Sequence, residues 1–314
     1  MAAHRSPKTA RSGWSEPEMQ SPARRLAAPA RRLNLQELAA GWYQSVVSAR
    51  IPGYGVLAHD LDLLRRLRGA IGDLLLAGAS PEAIAGHPCS WQPPCGLDIL
   101  FREQGRRGGH GIPKPYVLKA DRSGADLVLS MTLFGFASDW AGVAQHVFAT
   151  AVQHGIDWRG QRSELFLPAA QLAELTVTSG EGLAVPRPPT VALIEFLTPM
   201  NAEGDDPIDR PATVFARLAR RIEGLAAWQD AALDEDWQAL SRVSQSLSYD
   251  ATMLRRRSRD RHSGRARRHF TVDAIDGSLQ IADLPPPLWV LLLIGSITHV
   301  GKGATEGFGR FQLG

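Results

Sequence analysis

Along this chain apolar alternation gives way to helical spacing and returns, in the same order, twice. In the first half residues 42–50 alternate as a strand. Leu57, Leu61, Leu64, Ile71, Leu74 and Leu75 then recur on one helical side as far as Gly78. Residues 97–102 and 126–134 read as two strands, with the loop GRRGGHGIPKP between them. Trp140, Val143, Ala144, Val147, Phe148, Ala151 and Val152 mark a helix capped by Ser138 and ending before Gly155. A last strand falls within 165–177. After the Gly/Pro-rich stretch SGEGLAVPRPP the order repeats. Residues 190–197 form a strand, and Val214, Phe215, Leu218, Ile222 and Leu225 mark a helix over 211–229. HFTVDAIDGSLQIAD reads as a hairpin turning at Asp276-Gly277. A helix opens at Pro285-Pro286-Pro287 and runs to about Thr298, and a short strand closes over 308–313. Two β-α-β-β-α-β units predict an α+β protein of tandem ferredoxin-like, RRM-like domains. The expected division is a disordered basic N-terminal arm over 1–34, an N-terminal domain over 35–183 and a C-terminal domain over 184–314.

The net charge of +3 hides an uneven distribution. Residues 1–34 carry +5, and residues 254–269, LRRRSRDRHSGRARRH, carry +7, which leaves −9 on the rest. Arg255, Arg256, Arg257, Arg259, Arg261, Arg265, Arg267 and Arg268 lie too close together to enter a core. The cluster is either a solvated loop or a polyanion surface. Its place inside a folded unit, and the choice of Arg over Lys, favour nucleic acid, because a guanidinium binds phosphate bidentately and stacks on bases. The apolar run 288–294 is too short to span a bilayer, and no membrane partner is expected. Two cysteines in 314 residues suit a reducing cytoplasm. Cys89 and Cys95, separated by five residues, exceed the usual zinc-ligand spacing, so neither metal nor cofactor is expected.

The C-terminal stretch HVGKGATEGFGRF places Gly301, Gly303, Gly307 and Gly309 between an apolar helix and a strand, with Lys302 and Arg310 beside them. A phosphate-binding loop of nucleotide enzymes runs from strand to helix, the reverse of this order. A tight helix-to-strand turn needs fewer glycines, whereas bare backbone beside a cation suits close approach to an anion. His299 at the helix end is placed either to complement the helix dipole or to act as acid or base beside a phosphate. Lys302 either stabilises a charged transition state or is a solvated loop lysine.

These segments resemble the CRISPR precursor-RNA-processing endoribonucleases of the RAMP superfamily. The apolar helix, His-x-Gly-Lys-Gly, Thr and Gly-x-Gly-Arg-aromatic of the tail are similar to that family's C-terminal signature. PKPYVL with LVLSMTLFGFASDWAGVAQHVFATAVQHGI resembles its middle segment, TVALIEFLTPM its central strand, LRRRSRDR its basic segment and LRGAIGDLL its N-terminal helix. The resemblance covers about residues 40–313. It implies metal-independent cutting of CRISPR repeat RNA, from precursor to mature guide, through attack of a 2′-hydroxyl on the adjacent phosphate. His59, by position, and His299, by the tail motif, are the candidates for general base or acid, with Lys302 in support. The glycines and Arg310 would hold the RNA backbone and the arginine cluster the repeat. Relatives that serve as non-catalytic RNA-binding scaffolds in CRISPR effector complexes supply the competing reading, with other subunits as partners. Glu306 departs from the pattern, where an aromatic is usual; a carboxylate there would repel RNA unless an arginine pairs with it.

Overall fold

A computed structural model describes residues 22–107, 109–154, 172, 174–201, 206–263 and 268–314. The first unit comprises β1 (Tyr43–Ile51), α1 (Leu61–Ala77), β2 (Tyr116–Ser123), β3 (Asp126–Phe134), α2 (Ala141–His154) and β4 (Glu174–Glu181). Its antiparallel sheet has the order β2-β3-β1-β4. The second comprises β5 (Val191–Asn201), α3 (Thr213–Trp228), β6 (Arg255–Ser263), β7 (Arg268–Ala282), α4 (Pro286–Thr298) and β8 (Phe311–Leu313). Its order, β6-β7-β5-β8, places the same elements in the same sequence. The fold is therefore a tandem of ferredoxin-like units. α1 buries Leu63, Leu64, Leu67, Ile71 and Leu75, and α3 buries Val214, Phe215, Leu218, Ile222 and Leu225, on the stripes their spacing dictates.

Four expectations need correction. The run at 97–102 is not a strand but the helix Gly96–Leu100. So short an apolar run does not distinguish the two states, and Gly96 lets this helix press against Leu75 and Val143. The second strand is β2, joined to β3 by a two-residue Gly124-Ala125 turn with Gly124 at φ 63°. Asp276-Gly277 is not a hairpin turn. β7 runs through it with a bulge between Ile275 and Gly277, and Gly277 is required because the Met253 backbone crosses where a Cβ would stand. The arginine cluster is not a loop, since its first half forms β6, paired with β7 from Arg255↔Asp276 to Ser263↔Arg268.

The basic arm is the fourth. Residues 1–21 lie outside the described residues, but Pro22–Ala27 is a helix against α3, and Arg31–Leu33 pairs in parallel with Ala231–Leu233. α4 supplies the cause. Leu288, Trp289, Val290, Leu291, Leu292 and Ile294 leave it apolar nearly all round, so it must be covered on several sides. The helix Leu35–Ala40, whose Leu35 and Leu38 are buried, packs on it and draws the preceding chain into the fold.

Trp228 joins the units. Its ring lies 4.8 Å from that of Phe136, its Nε1 donates to the Pro113 carbonyl at 3.0 Å, and Gly135 has no room for a Cβ beside the Trp228 carbonyl. Gln229 exchanges two hydrogen bonds with the Tyr43 backbone, at 3.0 and 2.8 Å.

Candidate functional site

α4 ends at Thr298, and the chain then reverses through a loop whose four glycines all have positive φ: Gly301 at 83°, Gly303 at 86°, Gly307 at 86° and Gly309 at 65°. Glycine is thus needed for backbone conformation at each. The loop also closes on itself. Val300 N–H donates to the Gly309 carbonyl and Gly309 N–H to that of Pro199, both at 2.9 Å. The Thr198 hydroxyl donates to the Gly307 carbonyl at 2.6 Å and accepts from the Arg310 amide at 2.9 Å. The amides of residues 306–308 are turned inward as well, so the second half of the loop is a rigid platform rather than an open anion nest. Gly309→Ala is expected to lower stability by about 1–2 kcal/mol from positive-φ strain, with a further ~1–3 from overlap with the Val300 carbonyl. Denaturant unfolding measures the sum.

This platform rests on the first unit. Gly307 lies so close to Leu64 of α1 that a Cβ would overlap its side chain, and the Leu118 carbonyl of β2 lies 3.3 Å from the same point. Glu306 has the arginine its position demands: Arg68 of α1 stands 3.9 Å away, and Arg68 also donates to the Tyr116 hydroxyl at 3.0 Å. Arg310, expected at the RNA, reaches back to β2, where it pairs with Asp121 at 2.7 Å.

His59 is exposed at the end of the turn Gly55–His59. The adjoining Asp60 caps α1 by accepting from the Asp62 amide at 2.9 Å. Leu64, five residues after His59, is the side chain that touches Gly307. The start of α1 and the glycine loop therefore share one junction. Lys302 is exposed on that loop.

His299 differs in every respect. It is fully buried, neither ring nitrogen makes a well-formed hydrogen bond among the described residues, and its backbone adopts φ 63°, ψ 165°, a region nearly reserved for glycine. Burial, then Lys119, Arg221 and Arg310, hold its pKa well below the usual imidazole range; the Ala304 backbone favours a proton but is outweighed.

Lys119 and Arg221 are site residues that sequence reasoning missed. Lys119, on β2, is lowered to about 8 by burial and by Arg310, with Asp121 opposing. Arg221, on α3, is lowered to about 10 by burial, and its Nε donates to the Thr298 carbonyl at 2.7 Å. Its spacing from Leu218, Leu225 and Ile222 was a legible signal, because it sets a charge against the apolar stripe of an amphipathic helix.

The arginine strand lies elsewhere on the second unit. Arg255, Arg256 and Arg257 are exposed. Arg256 pairs with Asp206, and Arg257 with Asp276. Arg259, Arg261 and Arg268 hold ladder positions opposite Val272, Phe270 and Ser263. Arg265 and Arg267 lie outside the described residues. Among the described residues no group of three His, Cys, Asp or Glu side chains is placed to hold a metal, and no helix is long and apolar enough to cross a membrane.

Comparison with known proteins follows the same outline. Residues 194–311 match the family described as CRISPR-associated endoribonuclease Cas6. A Cas6 product complex aligns over 87% of this chain and 99% of its own, at 14% identity and a TM-score of 0.51. Thermus thermophilus Cas6 aligns over 88% and 99%, at 15% identity and a TM-score of 0.48. No curated protein matches the sequence. The second unit thus matches the family model of the CRISPR-associated endoribonucleases Cas6, and the chain as a whole shares the tandem fold of a Cas6 structure.

Proposed function

We propose that this protein cuts the repeat RNA of CRISPR transcripts without a metal. The 2′-hydroxyl oxygen bonds to the adjacent phosphorus while the bond from phosphorus to the 5′-oxygen breaks. A 2′,3′-cyclic phosphate and a 5′-hydroxyl result. One group must take the proton of the 2′-hydroxyl and another must give one to the leaving oxygen. Of the two candidate histidines His59 is the exposed one, and we assign it this proton chemistry. Lys302, exposed on the glycine loop, would stabilise the charge gathering on the phosphate. The observation that carries this assignment is the contact of Leu64 with Gly307, which sets the His59 end of α1 beside the glycine loop. Arg255, Arg256 and Arg257 would hold the repeat, with RNA as the partner. The division into domains at 35–183 and 184–314 belongs to the same proposal.

The test is incubation of a repeat-containing RNA with the protein in EDTA, followed by analysis of the ends. One cut with a cyclic phosphate is expected. Tight binding without a cut would point instead to an RNA-holding scaffold. Replacing Arg255, Arg256 and Arg257 together by alanine is expected to flatten the slope of log affinity against log salt by about 2, at roughly 0.7 for each phosphate no longer neutralised. Affinities measured between 50 and 200 mM salt, as rough limits, would read it.

A further inference from the structure

Where β2, α3 and the glycine loop meet, positive charge exceeds negative among the described residues. Lys119, Arg221 and Arg310 all act on the buried His299 ring, and the carboxylate beside them, Asp121, pairs with Arg310 at 2.7 Å. Arg217, on the same face of α3 one turn earlier, bonds to the Asn201 carbonyl. Arg221 donates through Nε to the Thr298 carbonyl, and its buried Nη2 has no partner among the described residues. Both nitrogens of His299 are likewise buried, with only a weak contact to the Ala304 backbone among the described residues. Unmatched buried donors and crowded like charges are costly unless something answers them. His299 also holds a backbone conformation that costs ~1–3 kcal/mol, of the kind that gathers at binding sites.

We propose that this junction is an oxyanion site, in which Lys119, Arg221 and Arg310 together take one phosphate group of the bound RNA. Two guanidiniums and an ammonium suit a phosphate, which accepts several charged hydrogen bonds at once. The site draws on both units, because Lys119 comes from the first and Arg221 and Arg310 from the second. That the phosphate belongs to RNA rests on the nuclease reading; the oxyanion site itself does not.

The probes are inorganic phosphate and a repeat RNA, with Lys119→Gln and Arg221→Gln as variants. In wild-type protein phosphate is expected to raise the thermal midpoint saturably, by at least about 2 °C, where chloride at equal ionic strength does not. Each variant should lose that response and bind repeat RNA about tenfold more weakly. Without phosphate Lys119→Gln should not melt lower than wild type, since it removes a like charge from a crowded cluster; Arg221→Gln also loses the bond to the Thr298 carbonyl, so its response is read against its own phosphate-free midpoint. Absence of a phosphate-specific shift in the wild type would overturn the site. A shift retained in both variants would overturn these residues as its ligands. A shift lost in both, with RNA affinity unchanged, would overturn RNA as the source of the phosphate. A phosphate response in a protein that binds repeat RNA but never cuts it would leave the site standing and remove the nuclease reading.

Discussion

His59→Ala is expected to slow repeat cleavage by about 10²–10⁴-fold, the range typical for loss of a positioned acid or base. Repeat-RNA affinity should stay within about twofold, and the unfolding free energy within about 0.5 kcal/mol, because His59 is exposed in the turn before α1. The cap of α1 is independent of it, since the Asp60 carboxylate makes that bond. Single-turnover cleavage, RNA titration and denaturant unfolding on one preparation separate the three quantities. Equal cleavage by variant and wild type would end the assignment of His59. A loss of cleavage matched by an equal loss of affinity would make it an RNA-binding residue instead.

Trp228→Ala is expected to cost about 3–5 kcal/mol, the usual range for removing a large buried aromatic. Trp228 is fully buried at the join between the units, and its loss strands the Pro113 carbonyl as well as the Phe136 ring. The Gly135 backbone, built to lie against the Trp228 main chain, prevents the gap from closing easily. Urea unfolding followed by tryptophan fluorescence and by far-UV circular dichroism measures the loss. The two signals should also separate, as the units come apart before each unfolds. A cost below about 1 kcal/mol would show that the join is held elsewhere.

Much of the fold was legible where a pattern had one meaning. α3 carries clean apolar spacing, α4 a nearly unbroken apolar run after its opening prolines, and β3 is long enough to be unambiguous. Errors arose where one signal serves two structures. Glycine after aspartate marks a turn, yet at Gly277 the same φ freedom serves a bulge under a crossing chain. The arginine strand lacks apolar alternation because β6 is an edge of its sheet, with exposed arginines at 255–257. The glycine loop was legible as a loop, but its dependence on α1 was not. Leu64 and Gly307 are far apart in the chain, and their contact is a property of how the units pack. For the same reason the tail pattern singled out His299, although packing seals it from solvent.

The strand Arg31–Leu33 has a temporal consequence. Its partner, Ala231–Leu233, is made 200 residues later, and the flanking bonds from Ala30 to Asp230 and from Leu35 to Glu235 span the same interval. At a ribosomal rate of about 5–20 residues per second, that interval lasts about 10–40 s. The start of the chain thus waits, exposed, while the first sheet assembles behind it. It docks only once α3 and the stretch after it have emerged, so this contact forms after all strands of the first sheet have been made.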